Sequence, residues 1–252
     1  SPGGAMMFEN DVPKHKIGAL HPLAVIDNSP YEFYRLAPPR VMLVMVAVGL
    51  SEFTSTDVER VFAPLDGYLD LLMERGIDLV IQNGVPLPIL IGIEAHDRMI
   101  DHMAKYTGKP ATSSVLAVVH AARDLGIRKL ALANKWSEPM NATLAAFFAR
   151  EGVPVCGAAT KVLSPSQFQK IGTEDNLRLA YELGRRAFLD YPDCDAVYVG
   201  GGAWLAEPAA RQLESEFGKP VICNQTAAIR EMMRLLKDWT PVAGCDRVLA
   251  TP

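Results

Sequence analysis

A chain of 252 residues, 49% apolar and 21% charged, has enough apolar sequence for a sizeable core and reads as one large domain or two of about 100–150 residues. A net charge of −4 and a pI near 5.8, with Lys and Arg interleaved among Asp and Glu, leave no basic face for a phosphate backbone, so nucleic acid is excluded as a partner. The most apolar run, VMLVMVAVGL from Val41, is strand-length and far short of the roughly 20 residues that span a bilayer, so no membrane partner is expected. In chain order, β-type runs are predicted at 17–20, 41–48, 79–81, 130–133, 153–156, 196–199 and 221–223. Between them the 3.6-residue period predicts helices at 57–75, 93–106, 114–125, 140–151, 174–189, 205–217 and 227–236. Short continuous apolar strands alternating with amphipathic helices define an α/β fold with parallel sheets covered on both faces.

Residues 1–6, SPGGAM, read as an expression remnant before a native start near Met6 or Met7. With no charged region and apolar signal core behind them, the expected location is cytoplasmic. Cys156, Cys194, Cys223 and Cys245 are widely spaced with no CxxC, which predicts reduced thiols rather than a zinc site or disulfide framework.

The chain repeats itself. GKPATSSVLAVVHAARDLG from Gly108 aligns with GKPVICNQTAAIREMMRLL from Gly218, and HKIGALHP from His15 resembles IRKLALANK from Ile127. The third pair is DLVIQNGVPLP from Asp78 and DAVYVGGGAWL from Asp195, which place Gly84 and Gly201 at the same offset. Three matches in one order imply duplication. The expected architecture is two pseudosymmetric lobes, 14–110 and 111–240, each a short parallel sheet flanked by helices, with terminal segments able to cross over. The carboxyl ends of both sheets would face a shared ligand cleft.

The stretches IGALHP from Ile17, GLSEFTSTD from Gly49, GIDLVIQNG from Gly76, KPATSSVLAVVHAARDLGIRKLALANKW from Lys109, NATLAAFFAREGV from Asn141 and DAVYVGGGAWL carry a resemblance. Over about 17–236 the chain resembles the aspartate/glutamate racemase superfamily, most closely its branch of arylmalonate decarboxylases and maleate cis-trans isomerases. The resemblance implies a two-lobed fold with a cofactor-free site between the lobes, acting on small carboxylates, and a homodimer. It also implies enzymes that add or remove a proton next to a carboxylate. Such racemases present a cysteine on each glycine-type turn, the decarboxylase keeps the second, and the isomerases use the first as nucleophile. Here Gly84 and Gly201 stand at both positions, which removes a positioned acid or base worth about 10²–10⁴-fold in rate. Where the decarboxylase has hydroxyl donors after the first turn, this chain has Val85 and Pro86. Where tyrosine is common after the fifth strand, it has Trp136.

His21, before Pro22 at the end of the first strand, is a candidate general acid or base near neutral pH, or a hydrogen-bonded loop residue. Glu52, beside Phe53 in the loop that lines the decarboxylase's substrate pocket, is a candidate acid if desolvated, or part of a helix start rich in capping residues. Asn83 and Asn134 suit a carboxylate or enolate oxygen but are also ordinary turn residues. Lys135 can neutralise a carboxylate or point to solvent. Cys223 is an inert thiol unless its setting is electropositive. Gly200, Gly201 and Gly202 offer backbone N–H groups before a helix expected at Leu205, an arrangement suited to anions. Phe53, Leu87 and Trp136 are candidate apolar walls. His96, His102 and Glu94 do not share one helix face as a metal pair would, and are expected at the surface. No metal or cofactor motif appears: the glycine run fits neither GxGxxG nor a P-loop, and there is no GxSxG elbow. Two functions follow. One is a cofactor-independent decarboxylase or isomerase acting next to a carboxyl group, with His21 or Glu52 moving the proton. The other is a non-catalytic carboxylate-binding protein; a hydrolase or hydratase on the same scaffold is also open.

Overall fold

In the computed structural model, residues 7–252 are described; the segment 1–6 read as an expression remnant lies outside the described residues. The first sheet contains β1 (His15–His21), β2 (Val41–Ala47), β3 (Leu79–Gln82) and β4 (Ala111–Ser113), in the order β2-β1-β3-β4. The second contains β5 (Leu130–Asn134), β6 (Val155–Thr160), β7 (Ala196–Val199) and β8 (Val221–Cys223), in the order β6-β5-β7-β8. Both sheets are parallel throughout and share one strand order, so the repeat in sequence is a repeat in topology. Parallel strands need crossover connections, and helices supply them.

In the first half these are α1 (Asn28–Leu36), α2 (Ser55–Phe62), α3 (Leu65–Glu74), α4 (Pro86–Ile91), α5 (Ile93–Thr107) and α6 (Ser114–Asp124). In the second half they are α7 (Glu138–Arg150), α8 (Pro165–Phe168), α9 (Thr173–Asp190), α10 (Glu207–Phe217), α11 (Asn224–Leu235) and α12 (Arg247–Ala250). α6 and α11 pack on each other, and α1 packs on α11 across the halves. The largest core cluster therefore runs through both sheets, from Ile17 and Ile81 through Val118 and Ile229 to Leu132 and Tyr198. Among the described residues, no helix is long and apolar enough to cross a membrane.

Several elements differ from the sequence reading. The helix expected over 57–75 is two, because Ala63-Pro64 interrupts it: Pro64 has no N–H to donate and becomes the N-cap of α3. β4 is short and carries Thr112 and Ser113 instead of an apolar run. It completes the first sheet, which therefore extends past the limit expected at residue 110. α10 starts at Glu207, not Leu205, because Pro208 fits only a first helical turn.

Candidate active site

The carboxyl ends of both sheets open into one cleft, and each half builds its side by the same local device. In the first half, β3 ends in the Asn83-Gly84 turn, and the Gly84 N–H donates to Ser114 Oγ, on the first residue of α6, at 3.0 Å. In the second, β7 runs into Gly200–Gly202, and the Gly201 N–H donates to Asn224 Oδ1, on the first residue of α11, at 3.2 Å. Ser114 and Asn224 are equivalent in the aligned repeat. The Tyr198 hydroxyl also donates to Asn224 Oδ1, which orients the amide, and Asn224 Nδ2 is buried with no partner among the described residues. Both helix N-termini thus bring a polar side chain to the cleft, where their dipoles favour negative charge.

Backbone geometry explains the two glycines. Gly84 has φ of +86°, and a Cβ on it would lie 2.7 Å from Pro22 Cγ. Gly201 has φ of +126°, and a Cβ there would lie 3.3 Å from Trp204 Nε1. Both dihedrals disfavour any side chain, and at Gly84 the proline ring also occupies the space.

The cavity volume of the cleft is about 50 Å³. Its apolar walls include Leu23, Leu50, Phe53, Trp136 and Phe168, with Phe53 and Phe168 stacked across the halves at a centroid distance of 6.4 Å. Lys135 follows the central strand β5, as Pro22 follows β1. Its side chain is 2% exposed, lines the cleft, and has no hydrogen-bond partner for Nζ among the described residues. Nζ lies 4.1 Å from the Trp204 ring centroid and 4.3 Å from that of Phe168. Burial lowers its pKa to about 7, because removal from water penalises the ammonium. The loop behind it is fixed by Lys161 N–H to Asn134 O and Leu163 N–H to Lys135 O, which leads the chain back to Phe168.

His21 closes β1 and also lines the cleft. Its Nδ1 accepts the Leu23 N–H at 3.2 Å, so the neutral ring carries its proton on Nε2. Burial lowers its pKa to about 4. The expectation of an acid or base titrating near neutral pH is therefore corrected: His21 is a neutral donor there. Asn83 lines the cleft, and its side-chain amide makes no hydrogen bond among the described residues.

The structure brings together His21, Pro22, Phe53, Asn83, Gly84, Lys135, Trp136, Gly201 and Gly202. It leaves Glu52, Val85, Leu87, Asn134 and Cys223 outside the lining. Glu52 is exposed, so the desolvation that would make it an acid is lacking; its N–H and that of Ser51 anchor on Asp57. Val85 is wholly buried in the core, as is Leu87 in a neighbouring cluster, and Pro86 takes the wall position instead. Asn134 is buried too: it accepts the Trp136 N–H and pairs with Asn141, so its role is to hold the turn. Cys223 is wholly buried against Thr226 and Asp246, and burial raises its pKa well above the usual thiol range.

The anion site expected at the Gly200–Gly202 amides is narrowed to Gly202, which lines the cleft, because the Gly200 N–H donates to Ala133 O. The Gly201 N–H is taken by Asn224, and the first N–H groups at the start of α10, on Ala206 and Glu207, are taken by the Glu32 carboxylate. His96 is buried against Ser113, not at the surface, while His102 is exposed beside Asp66. Sequence reasoning missed Ser114, Asn224 and Phe168. The first two were accessible as an equivalent pair at helix starts in the repeat; Phe168 had no signal. Among the described residues, no group of three or more His, Cys, Asp or Glu is placed to hold a metal ion.

Two four-stranded parallel sheets flanked by helices form an α/β fold, and they meet at a cleft lined by neutral donors and one buried lysine. The arylmalonate decarboxylase family model matches residues 21–249, and the chain belongs to that family. Arylmalonate decarboxylase of Bordetella bronchiseptica is 27% identical over 197 residues, covering 78% of this chain and 81% of the relative. Maleate isomerase of Geobacillus stearothermophilus is 24% identical over 157 residues, 59% of this chain and 61% of the relative. A liganded Gly-to-Cys, Cys-to-Ser double variant of arylmalonate decarboxylase superposes with a TM-score of 0.83 at 24% identity, over 94% of this chain and 100% of the other. The relatives are enzymes, a decarboxylase and an isomerase.

Proposed function

We propose that this protein is a cofactor-independent enzyme that breaks or rearranges a bond at the carbon next to a carboxylate, most simply as a decarboxylase, and that Lys135 takes the place of the cysteines as proton donor. The observation that carries this reading is a buried, unpartnered lysine lining a cleft otherwise lined by neutral groups. A substrate carboxylate would be held by neutral donors: the Ser114 hydroxyl, Asn224 Nδ2, the Asn83 amide and His21 Nε2–H. Departure of neutral CO₂ into the apolar part of the cleft leaves an electron pair on carbon as an enolate. The Lys135 ammonium stabilises that charge across a medium of low dielectric and then delivers its proton. The amine recovers a proton from solvent.

With a pKa of about 7, Lys135 is partly charged at neutral pH, the range in which a general acid is most effective. A route that needs the ammonium slows as pH rises through about 7, whereas His21 stays neutral throughout that range. The experiment is proton NMR in D₂O with substituted malonates, maleate, 2-aryl and 2-hydroxy acids. CO₂ loss, deuterium at the α-carbon, or cis-trans conversion is expected. Lys135→Met should lower the rate by about 10²–10⁴-fold, and Glu52→Gln should leave it unchanged. Ligand line-broadening without chemistry on every acid would instead identify a carboxylate-binding protein.

A further inference from the structure

Lys135 is a poor place to keep a permanent ammonium. An ammonium carries three N–H donors, and Nζ has no acceptor among the described residues. No Asp or Glu lines the cleft, so no carboxylate of the protein holds the charge there. What the site does offer Nζ is two aromatic faces, Trp204 at 4.1 Å and Phe168 at 4.3 Å, which stabilise a cation without accepting conventional hydrogen bonds. A cation with one N–H and charge spread toward carbon matches those surroundings better than an ammonium with three. A ketiminium is such a cation, and a lysine amine desolvated in an apolar pocket is the nucleophile that forms one. The pKa of about 7 leaves amine available at neutral pH.

We propose that the Lys135 amine acts as a covalent catalyst on 3-oxo carboxylic acids, condensing with the substrate ketone beside the carboxylate held at Ser114 and Asn224. This rests on reading the cleft as a site that activates the bond next to a carboxylate, and it adds a substrate class with its own chemistry. The Nζ lone pair attacks the C3 carbonyl carbon. The carbonyl oxygen leaves as water after taking up two protons, one from nitrogen and one from solvent, and the iminium remains. The bond from C2 to the carboxyl carbon then breaks, CO₂ departs, and its electron pair forms the C2–C3 double bond of an enamine as the C=N π pair returns to nitrogen. C2 takes a proton from water to restore the iminium. Water adds to C3, the C–N bond breaks, and ketone and free amine are released. The balance is one acid anion and one proton giving one ketone and one CO₂, with no oxidant or reductant.

The test incubates the full chain with acetoacetate and, separately, benzoylacetate, with and without sodium cyanoborohydride, then maps lysine adducts by peptide mass spectrometry. CO₂ release and turnover of phenylmalonate and maleate in D₂O are followed on the same preparation. From acetoacetate, an isopropyl group is expected on Lys135, well above the level on surface lysines, with loss of decarboxylase activity on reduction. Lys135→Met and Lys135→Arg, each confirmed folded by a cooperative thermal transition, should lose the adduct and fall to the buffer rate of 3-oxo acid decarboxylation. The arginine variant keeps the positive charge and so separates covalent from electrostatic catalysis. The inference is overturned if neither acid labels Lys135, if labelling occurs without CO₂ release, or if Lys135→Arg still decarboxylates 3-oxo acids. Turnover of phenylmalonate or maleate with unlabelled Lys135 would sink this inference alone, whereas no chemistry on any acid would sink the proposed function with it.

Discussion

At position 135 the folded chain carries a group that prefers water, and the sign of its effect on stability can be worked out. The lysine pKa falls from its ordinary 10.5 to about 7 on folding. Between those values the unfolded chain holds a proton that the folded chain releases, so folding loses stability as pH falls from about 10.5 to 7 and then levels off. The difference converts to at most about 5 kcal/mol, and the two ring faces each return about 1 kcal/mol. Lys135→Met, nearly equal in shape and free of charge, should therefore be the more stable protein at pH 7 by roughly 2–3 kcal/mol. The gap should close toward pH 10.5 in paired denaturant titrations; a gap independent of pH would mean that the lysine reaches water. A residue retained against stability is what an active site requires. Gly84 gives the opposite case, where a side chain cannot be added. Gly84→Ala should destabilise by about 2–3 kcal/mol through the +86° dihedral and the Pro22 contact. Adding Pro22→Ala in the same chain should restore only the contact part, as denaturant midpoints of the single and double variants would show.

At the scale of elements, the wall of the cleft formed by Gly201, Gly202 and Ala203 depends on how α10 begins, and that start is capped from α1, in the other half. Glu32 Oε2 accepts the Ala206 and Glu207 N–H groups at 3.0 and 3.2 Å. Burial raises the Glu32 pKa to about 7 despite those two bonds. Because the folded value lies above the unfolded one, this group favours folding below about 4.5, and that contribution is lost as pH rises to about 7. Glu32→Gln keeps an accepting oxygen without the charge, so its stability relative to the parent should rise over that window and then stay constant. Glu32→Ala leaves both N–H groups without their acceptor and should cost about 1–2 kcal/mol. Thermal melts of both variants at pH 5 and 8 check the pair of outcomes. A cap supplied by residue 32 to residue 207 has no sequence signature, which is why the helix start and its N–H groups were misread as free for a ligand. The strands 196–199 and 221–223 were legible to the residue, because each is a bounded apolar run between turn residues. α4, PLPILI, and β4, ATS, were not, since proline-rich and hydroxyl-rich segments acquire their structure from packing and pairing beyond the segment. Of the candidate site, the glycine turns and the strand ends were readable. Which side chain beside them faces the cleft was not: Glu52 and Lys135 are both charged residues near such ends, and the fold exposes one and buries the other.

For the molecule as a whole, the repeat raises the question of whether each half is a unit of stability. The packing argues that it is not. α6 and α11 begin at the cleft, carry Ser114 and Asn224 to opposite sides of it, and then pack on one another within the largest core cluster. That cluster draws on both sheets, so exposing the inner face of one sheet exposes the other. The two helices thereby couple the spacing of the candidate carboxylate donors to the packing of the whole chain, and a half that opened alone would dismantle the cleft. Unfolding should accordingly be one cooperative transition, with calorimetric and van't Hoff enthalpies equal and with tryptophan fluorescence and far-ultraviolet circular dichroism changing together. With Trp239, which packs against the shared cluster, replaced by phenylalanine, Trp136 and Trp204, both buried in the second half, make fluorescence a reporter of that half, while circular dichroism averages over both. Val118→Ala in α6 and Ile229→Ala in α11 each leave a cavity in the shared cluster and should cost about 2–4 kcal/mol. If the halves are coupled as the packing requires, Val118→Ala lowers the fluorescence midpoint as much as the circular dichroism midpoint, although the substitution lies in the first half and both reporter tryptophans in the second. Separate midpoints would instead mean that each sheet is stable on its own, and that the cleft can open by parting of two folded halves.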